Sequence, residues 1–347
     1  MKRNPLRLCS LLISVLAITG CARQSEPSNH ASVTLYTSVD DQLARSIVEV
    51  FTQETGIEVQ ILGDTEATKT TGLVSRLEAE MDRPLADVWW SSEPMGTIIL
   101  GERGVLEPGA MRGMVGNDWP EALRGKDWSW IGTGLRARVI AYASDRVEAP
   151  PTTLAELADP KYKGKIGMAR PQFGTTRIHM AILLDRWGQD AFDEWLEALK
   201  ANRIRLYDGN ASVVKAIAMG EIDVGLTDTD DVWAGQANGW RVDLVYEGID
   251  ANKPWASQGP IWIPNTVAII KGGPSPDSAS KLAAFLVSAR VEALLEASPS
   301  GNRSVHALLS MDKDKSQVIL DRLPDYVGAA GKVREAIDAC SRVLISP

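Results

Sequence analysis

From residue 33 onward, short apolar runs alternate with stretches whose apolar residues recur every three or four positions. That rhythm constrains the fold more than any other feature of the sequence. Val33 to Tyr36 reads as a strand; Leu43, Ile47, Val50 and Phe51 mark a helix closed by Gly56; Ile57 to Leu62 alternates as a strand. Leu73, Val74, Leu77 and Met81 mark the next helix, Ala86 to Trp90 a buried strand, and a helix near Thr97 ends by Gly104. Strands separated by helices pair in parallel, because the helical crossover returns the chain to the same edge. The class is α/β, and no internal repeat of fixed period is present.

The first residues stand apart from this pattern. Lys2, Arg3 and Arg7 precede the apolar run Leu8–Ala17, and Ile18-Thr19-Gly20 precedes Cys21. This reads as a secretion signal over residues 1–20, with Cys21 as the lipidated mature N-terminus and residues 21–31 as a polar tether. The folded part is then expected in the periplasm or at the cell surface, held to a membrane by lipid. The removed segment carries three basic and no acidic residues, so the formal net charge of −8 falls three units lower. So acidic a surface excludes nucleic-acid binding through a basic face. The remaining cysteine, Cys340, has no partner, and three histidines are too few for a histidine-rich metal site.

A second α/β unit follows the tryptophan-rich loop Trp119–Trp130. Its expected strands are Arg138–Tyr142, Lys165–Ala169, Ile222–Leu226 and Val242–Val245; its helices are Thr176–Trp187, Ala191–Leu199 and Val213–Met219. Thr153-Leu-Ala-Glu156 reads as a capping box. Pro260-Ile-Trp-Ile-Pro264 leads into strand Thr266–Ile270, after which the chain reads as helical to Ser346. The final helices lack a sheet of their own and are expected to pack on the first unit. The expected organisation is one lobe from 32–134 plus 266–347 and another from 135–265, joined by two crossings with a cleft between them.

Catalytic motifs are missing: the sequence has no GxSxG, HExxH or CxxC, and no Gly-Lys pair is followed by the Ser or Thr of a phosphate loop. Polar clusters instead follow the expected strands, at the edge where α/β folds bind ligands. They are Asp40; Asp64 to Thr71, with Glu66 and Thr68; Ser91-Ser92-Glu93; Gly174-Thr175-Thr176; and Thr227 to Asp231, with Asp228, Asp230 and Asp231. Each has a structural alternative. The aspartates of the last cluster suit a helix cap, Glu66 a solvated turn, Glu93 an exposed first-turn carboxylate, and Gly174–Thr176 a bare N-cap. As ligands, the carboxylates suit a hard cation or an ammonium group, and the helix start suits an anion. Trp90, Trp233 and Trp262 fall near the expected cleft edges, though most tryptophans of such a chain belong to the core.

The segments VTLYTSVD, DTEATKTTGLVSRL, ADVWWSSEP, ELADPKYKGKIGMARPQFGTT, GEIDVGLTDTDD and IPNTVAIIKGG resemble, in order and spacing, the solute-binding proteins of ABC importers. The ferric-ion-binding group is the nearest in pattern, over about Val33–Ala297. The resemblance implies the bilobal, type II periplasmic-binding-protein fold with a two-strand hinge. It also implies solute capture without catalysis and ABC permease and ATPase subunits as partners of a monomer. Iron or calcium with an accompanying anion would then be the ligand, with Asp40, Glu93, Asp230 and Asp231 as metal ligands. Asp40 stands where ferric members often have histidine. Asp230-Asp231 stand where they have adjacent tyrosines, so phenolate bonding is lost there. A binder of a small zwitterion such as an aminophosphonate is the alternative, and a secreted hydrolase using two carboxylates is a remote one.

Overall fold

A computed structural model describes residues 31–64, 70–250, 255, 257–311 and 319–345. The chain opens with β1 (Ser32–Thr37), α1 (Asp41–Thr55), β2 (Glu58–Gly63), α2 (Thr71–Ala79), β3 (Val88–Ser91) and α3 (Pro94–Glu102). β1 pairs in parallel with both β2 and β3. α1 turns Ala44, Ile47, Val48 and Phe51 inward and stops at Gly56, whose φ of 70° lets its N–H return to the Thr52 carbonyl.

The second half comprises β4 (Trp130–Ala143), α4 (Leu154–Leu157), β5 (Ile166–Ala169), α5 (Gly174–Ala201), β6 (Arg205–Tyr207) and α6 (Asn210–Ala218). β7 (Val224–Asp228), α7 (Thr229–Ala237), β8 (Val242–Tyr246), β9 (Ile249–Asp250) and β10 (Ser257–Gln258) follow. β11 (Trp262–Ile269), α8 (Pro276–Leu286), α9 (Ala289–Ala297), α10 (Val305–Ser310) and α11 (Tyr326–Cys340) close the described chain. α5 is interrupted at Gly188 (φ 75°, ψ 170°), which is why its apolar pattern reads as two helices. At the capping box, Thr153 accepts from the Glu156 N–H at 3.1 Å, but the Glu156 carboxylate reaches the Thr152 N–H rather than that of Thr153.

One sheet path, β2-β1-β3-β11-β4-β7-β5-β6, runs through the molecule, with β8 also on β4. β4 holds its halves together. Residues 130–137 pair with β11, and residues 138–143 pair with β7 and β8. The strand therefore begins eight residues before the expected Arg138, at Trp130, the last tryptophan of the expected loop. β11 likewise starts at Trp262 and contains Pro264, expected to precede it. A proline cannot donate to a ladder, and it is accommodated here because the register shifts beside it. Pro264 pairs with Leu135 and Asn265 with Thr133, leaving Gly134 as the extra residue of a bulge. Gly134 has φ 54°, which favours glycine. Buried Glu292 of α9 fixes this point, accepting from the Gly134 N–H (2.8 Å), Thr133 Oγ1 (2.5 Å), Ser304 Oγ (2.8 Å) and the His306 N–H (2.8 Å).

The final helices divide between the two halves. α8 packs on β1, β3 and β11. α11, expected with the first lobe, instead lies along α5 and also touches α3. Its buried stripe of Tyr326, Ala329, Val333, Ala336, Ala339 and Cys340 needs an apolar partner, and α5 supplies one. Arg342 then grips Asp193 of α5 with contacts of 2.8 and 2.9 Å.

Candidate functional site

β4 carries two arginines, Arg136 and Arg138, the only charged residues of a strand that is almost wholly buried. Spacing by two puts both on one face. Asp228, the last residue of β7, meets them there. Arg138 Nη1 lies 2.8 Å from Asp228 Oδ1, and Arg136 Nε lies 3.4 Å from Oδ2. Asp228 Oδ2 accepts from Thr175 Oγ1 at 2.5 Å and from Asn210 Nδ2 at 2.8 Å. Burial alone pushes the Asp228 carboxyl upward, but Arg138, Arg136 and Thr175 outweigh it and hold its pKa below the usual range. Asp228 precedes α7 yet makes no side-chain cap bond, so simple helix capping is not its role.

Asp230 and Asp231 follow in the first turn of α7, where the helix dipole favours negative charge. One carboxylate oxygen from each of Asp228, Asp230 and Asp231 lies within 4.8 Å of the others. These residues border a cavity of about 40 Å³ with Asp40, Ser92, Arg136, Arg170, Thr175, Thr176 and Asn210. Room for one water needs roughly 10–15 Å³, so this space suits an ion with a few small companions. Asp40, Asp230 and Asp231 also border a wider opening of about 430 Å³, walled by Leu43, Ala211, Ala234 and Pro299.

The expected ligand residues thus separate. Asp40, Thr175, Thr176, Asp228, Asp230 and Asp231 converge on one cavity. Glu93 does not: it is buried, and its carboxylate accepts from the Met95 N–H (2.5 Å) and the Gly96 N–H (3.0 Å) as the cap of α3. The expectation of an exposed first-turn carboxylate at Glu93 is corrected accordingly. Burial raises its pKa, against the pull of Arg177. Thr175 and Thr176 contribute buried hydroxyls, but these serve Asp228 and Asn210 rather than projecting as free anion ligands. Phe173, before the first residue of α5, has no side chain able to cap it. Glu66, Thr68 and Cys21 lie outside the described residues. Trp90 is fully buried in β3, and Trp262 packs on Tyr246 with ring centroids 6.1 Å apart. Neither lines the cavity, nor does Trp233.

Several site residues were missed from sequence. Arg136, Arg138 and Asn210 had a visible signal in part, since two arginines at i, i+2 inside GLRARVIAYA are costly unless paired. His179, on α5, lies behind Arg138, with Nδ1 accepting from Arg138 Nε at 3.3 Å. Burial first, then Arg138 and Arg186, drive its pKa well below the ordinary value, so it is neutral.

A family model described as bacterial extracellular solute-binding protein matches residues 46–300. The chain belongs to this family. As a solute-binding protein it is a binder and not an enzyme. This solute-binding protein is 27% identical over 332 residues to the iron uptake protein A1 of Synechocystis sp., covering 92% of this chain and 87% of that one. It is 27% identical over 263 residues to the major ferric iron-binding protein of Neisseria meningitidis, covering 74% and 76%. Among solved structures, iron-bound HitA from Pseudomonas aeruginosa superposes with a TM-score of 0.72 at 26% identity, over 91% of this chain and all of that one. The Trichodesmium protein IdiA (FutA), in complex with iron and citrate, matches with the same TM-score at 21% identity, over 91% and 100%. The fold of this solute-binding protein is therefore the bilobal, type II periplasmic-binding-protein fold.

Proposed function

We propose that this solute-binding protein captures a hard metal cation, ferric iron, together with a small anion, and delivers it to an ABC permease with its ATPase subunits. The supporting observation is the meeting of Asp228, Asp230 and Asp231 oxygens within 4.8 Å beside the uncapped start of α5. Oxygen donors of this kind suit a hard cation, and helix N–H groups suit its anion. Asp40 reaches the same cavity and completes an excess of carboxylates over buried guanidinium groups. Asp40, Asp230 and Asp231 are the proposed metal ligands; Thr175 and Thr176 mark the anion end. The names of the relatives point to the same cargo.

In this reading the lobes are 32–134 plus 266–347 and 135–265, with β4 and β11 as the hinge and α11 resting on the second lobe. Residues 1–20 export the chain, lipid on Cys21 holds it to a membrane, and residues 21–31 tether a monomer near its permease.

Thermal melting of the purified protein tests the cargo, because a ligand that binds only the folded state raises its melting temperature by mass action. Ferric citrate is expected to raise it in a dose-dependent way. A shift with an aminophosphonate and none with ferric or calcium ions would overturn the metal reading.

A further inference from the structure

We propose that Arg136 is a resident counter-cation of the cavity, a positioning residue that sets how much positive charge an incoming cation must bring. This inference rests on the cation reading above. Arg136 reaches three parts of the fold at once. Its Nε faces Asp228 Oδ2 at 3.4 Å and Asp230 Oδ2 at 3.8 Å, at the junction of β7 and α7. Its Nη1 donates to Asn265 Oδ1 of β11 at 3.0 Å, and its Nη2 donates to the Ser92 carbonyl after β3. Asn265 in turn donates from Nδ2 to the Gly134 carbonyl at 3.2 Å, so the guanidinium is tied to the bulge of β4.

Two of its acceptors, Asn265 and Ser92, are neutral. They hold the guanidinium in place whatever occupies Asp230 and Asp231. Arg138 differs: its Nε and Nη1 are engaged behind Asp228 by Thr175, Asn210 and His179, and it does not border the cavity. Arg136 does border it. An arginine cannot release its proton in this range, so its charge is permanent. Without a cation it offsets the repulsion among Asp40, Asp228, Asp230 and Asp231, and the two halves meet around a cavity of only about 40 Å³. With a cation it opposes part of the attraction, and ligand charge count is what tunes affinity at oxygen sites.

The experiment compares the parent protein with Arg136→Gln, Arg136→Lys and the double variant Arg136→Gln/Asp230→Asn. Calorimetry follows Fe³⁺ presented as citrate, Tb³⁺ and Ca²⁺, and small-angle scattering follows the cation-free state. In Arg136→Gln, the preference for trivalent over divalent ions is expected to rise about tenfold or more, while Arg136→Lys keeps the parental preference. The cation-free Arg136→Gln protein is expected to expand, and the double variant to return to the parental radius of gyration. An unchanged ion preference and an unchanged radius in Arg136→Gln would overturn the proposal. So would loss of all cation binding by a variant that melts like the parent, which would place Arg136 on the ligand's own anion. A parent that binds none of the three ions overturns the cation reading separately, and the scattering arm then decides Arg136 alone. Should Arg136→Gln fail to fold, a double variant that folds with the parental radius shows that the lost charge was the cause, as proposed, and a double variant that also fails to fold overturns the charge reading.

Discussion

Arg138 and Asp228 are register partners on antiparallel strands β4 and β7, and their side chains meet at 2.8 Å in the buried interior. Removing one member of such a pair leaves the other charge uncompensated. Asp228→Asn is therefore expected to cost about 3–5 kcal/mol at neutral pH in denaturant unfolding. The pKa of Asp228 is lowered in the folded chain, because its arginine partners outweigh the upward push of burial. Its contribution is thus complete above the unfolded carboxyl value and is lost as pH falls through the lower, folded one. Stability curves of the parent against pH are expected to fall through that acid window, and those of Asp228→Asn to be flatter there.

Asp230 and Asp231 are only half-buried, unlike Asp228. Replacing both with alanine is expected to abolish the ligand-induced rise in melting temperature while leaving the unliganded melting temperature within a few degrees of the parent. Retained ligand response would show that the pair serves only the dipole of α7.

None of the tyrosines borders the cavity, and the residues that border it after β7 are aspartates. The ferric form is expected to lack a phenolate-to-iron absorption band in the visible range. A visible absorption spectrum of the iron-loaded protein checks this, and an intense band would place a tyrosine on the metal.

Gly134 bulges from β4 opposite β11 with φ 54°, and a Cβ there would stand 3.1 Å from Asn265 Nδ2 and 3.3 Å from Leu295 Cδ1. Gly134→Ala is expected to destabilise by about 1–3 kcal/mol, measured by urea unfolding. Its neighbour Glu292 satisfies four donors, two of them backbone N–H groups. Glu292→Ala is expected to cost about 3 kcal/mol or more, since each buried donor left unmet carries a penalty of about 1–3 kcal/mol.

Cys340 is buried on α11, and burial first, with Asp193 adding, pushes its thiol up to about 12. The native protein is expected to leave this thiol unreacted with an aromatic disulfide reagent at pH 8, and to release one equivalent only after unfolding in urea. Reaction in the native state would mean that α11 opens from α5.

The alternation of short strands with amphipathic helices was enough to read α/β layering and the parallel start of the sheet, because burial on one face imposes period 2 or 3.6 locally. The carboxylates after β7 were readable for the same reason: they end a strand and begin a helix. The burial of Glu93 was not readable, because an exposed first-turn carboxylate and a buried N-cap have the same local sequence, and only its bonds to Met95 and Gly96 show the cap. The 130–137 half of β4 was hidden because Gly132, Gly134 and a bulge blur the alternation that marks a strand.

What the sequence determined by itself was local: which segments bury a face, where they stop, and that acidic side chains gather at strand ends. What the tertiary structure decided was which of those groups meet. Arg136 and Arg138 sit ninety residues or so from Asp228, and Ser92 and Asn265 are farther apart still, so no spacing along the chain could pair them. Their association follows from strand order, since β4 lies between β11 and β7 and delivers both guanidinium groups to one buried carboxylate.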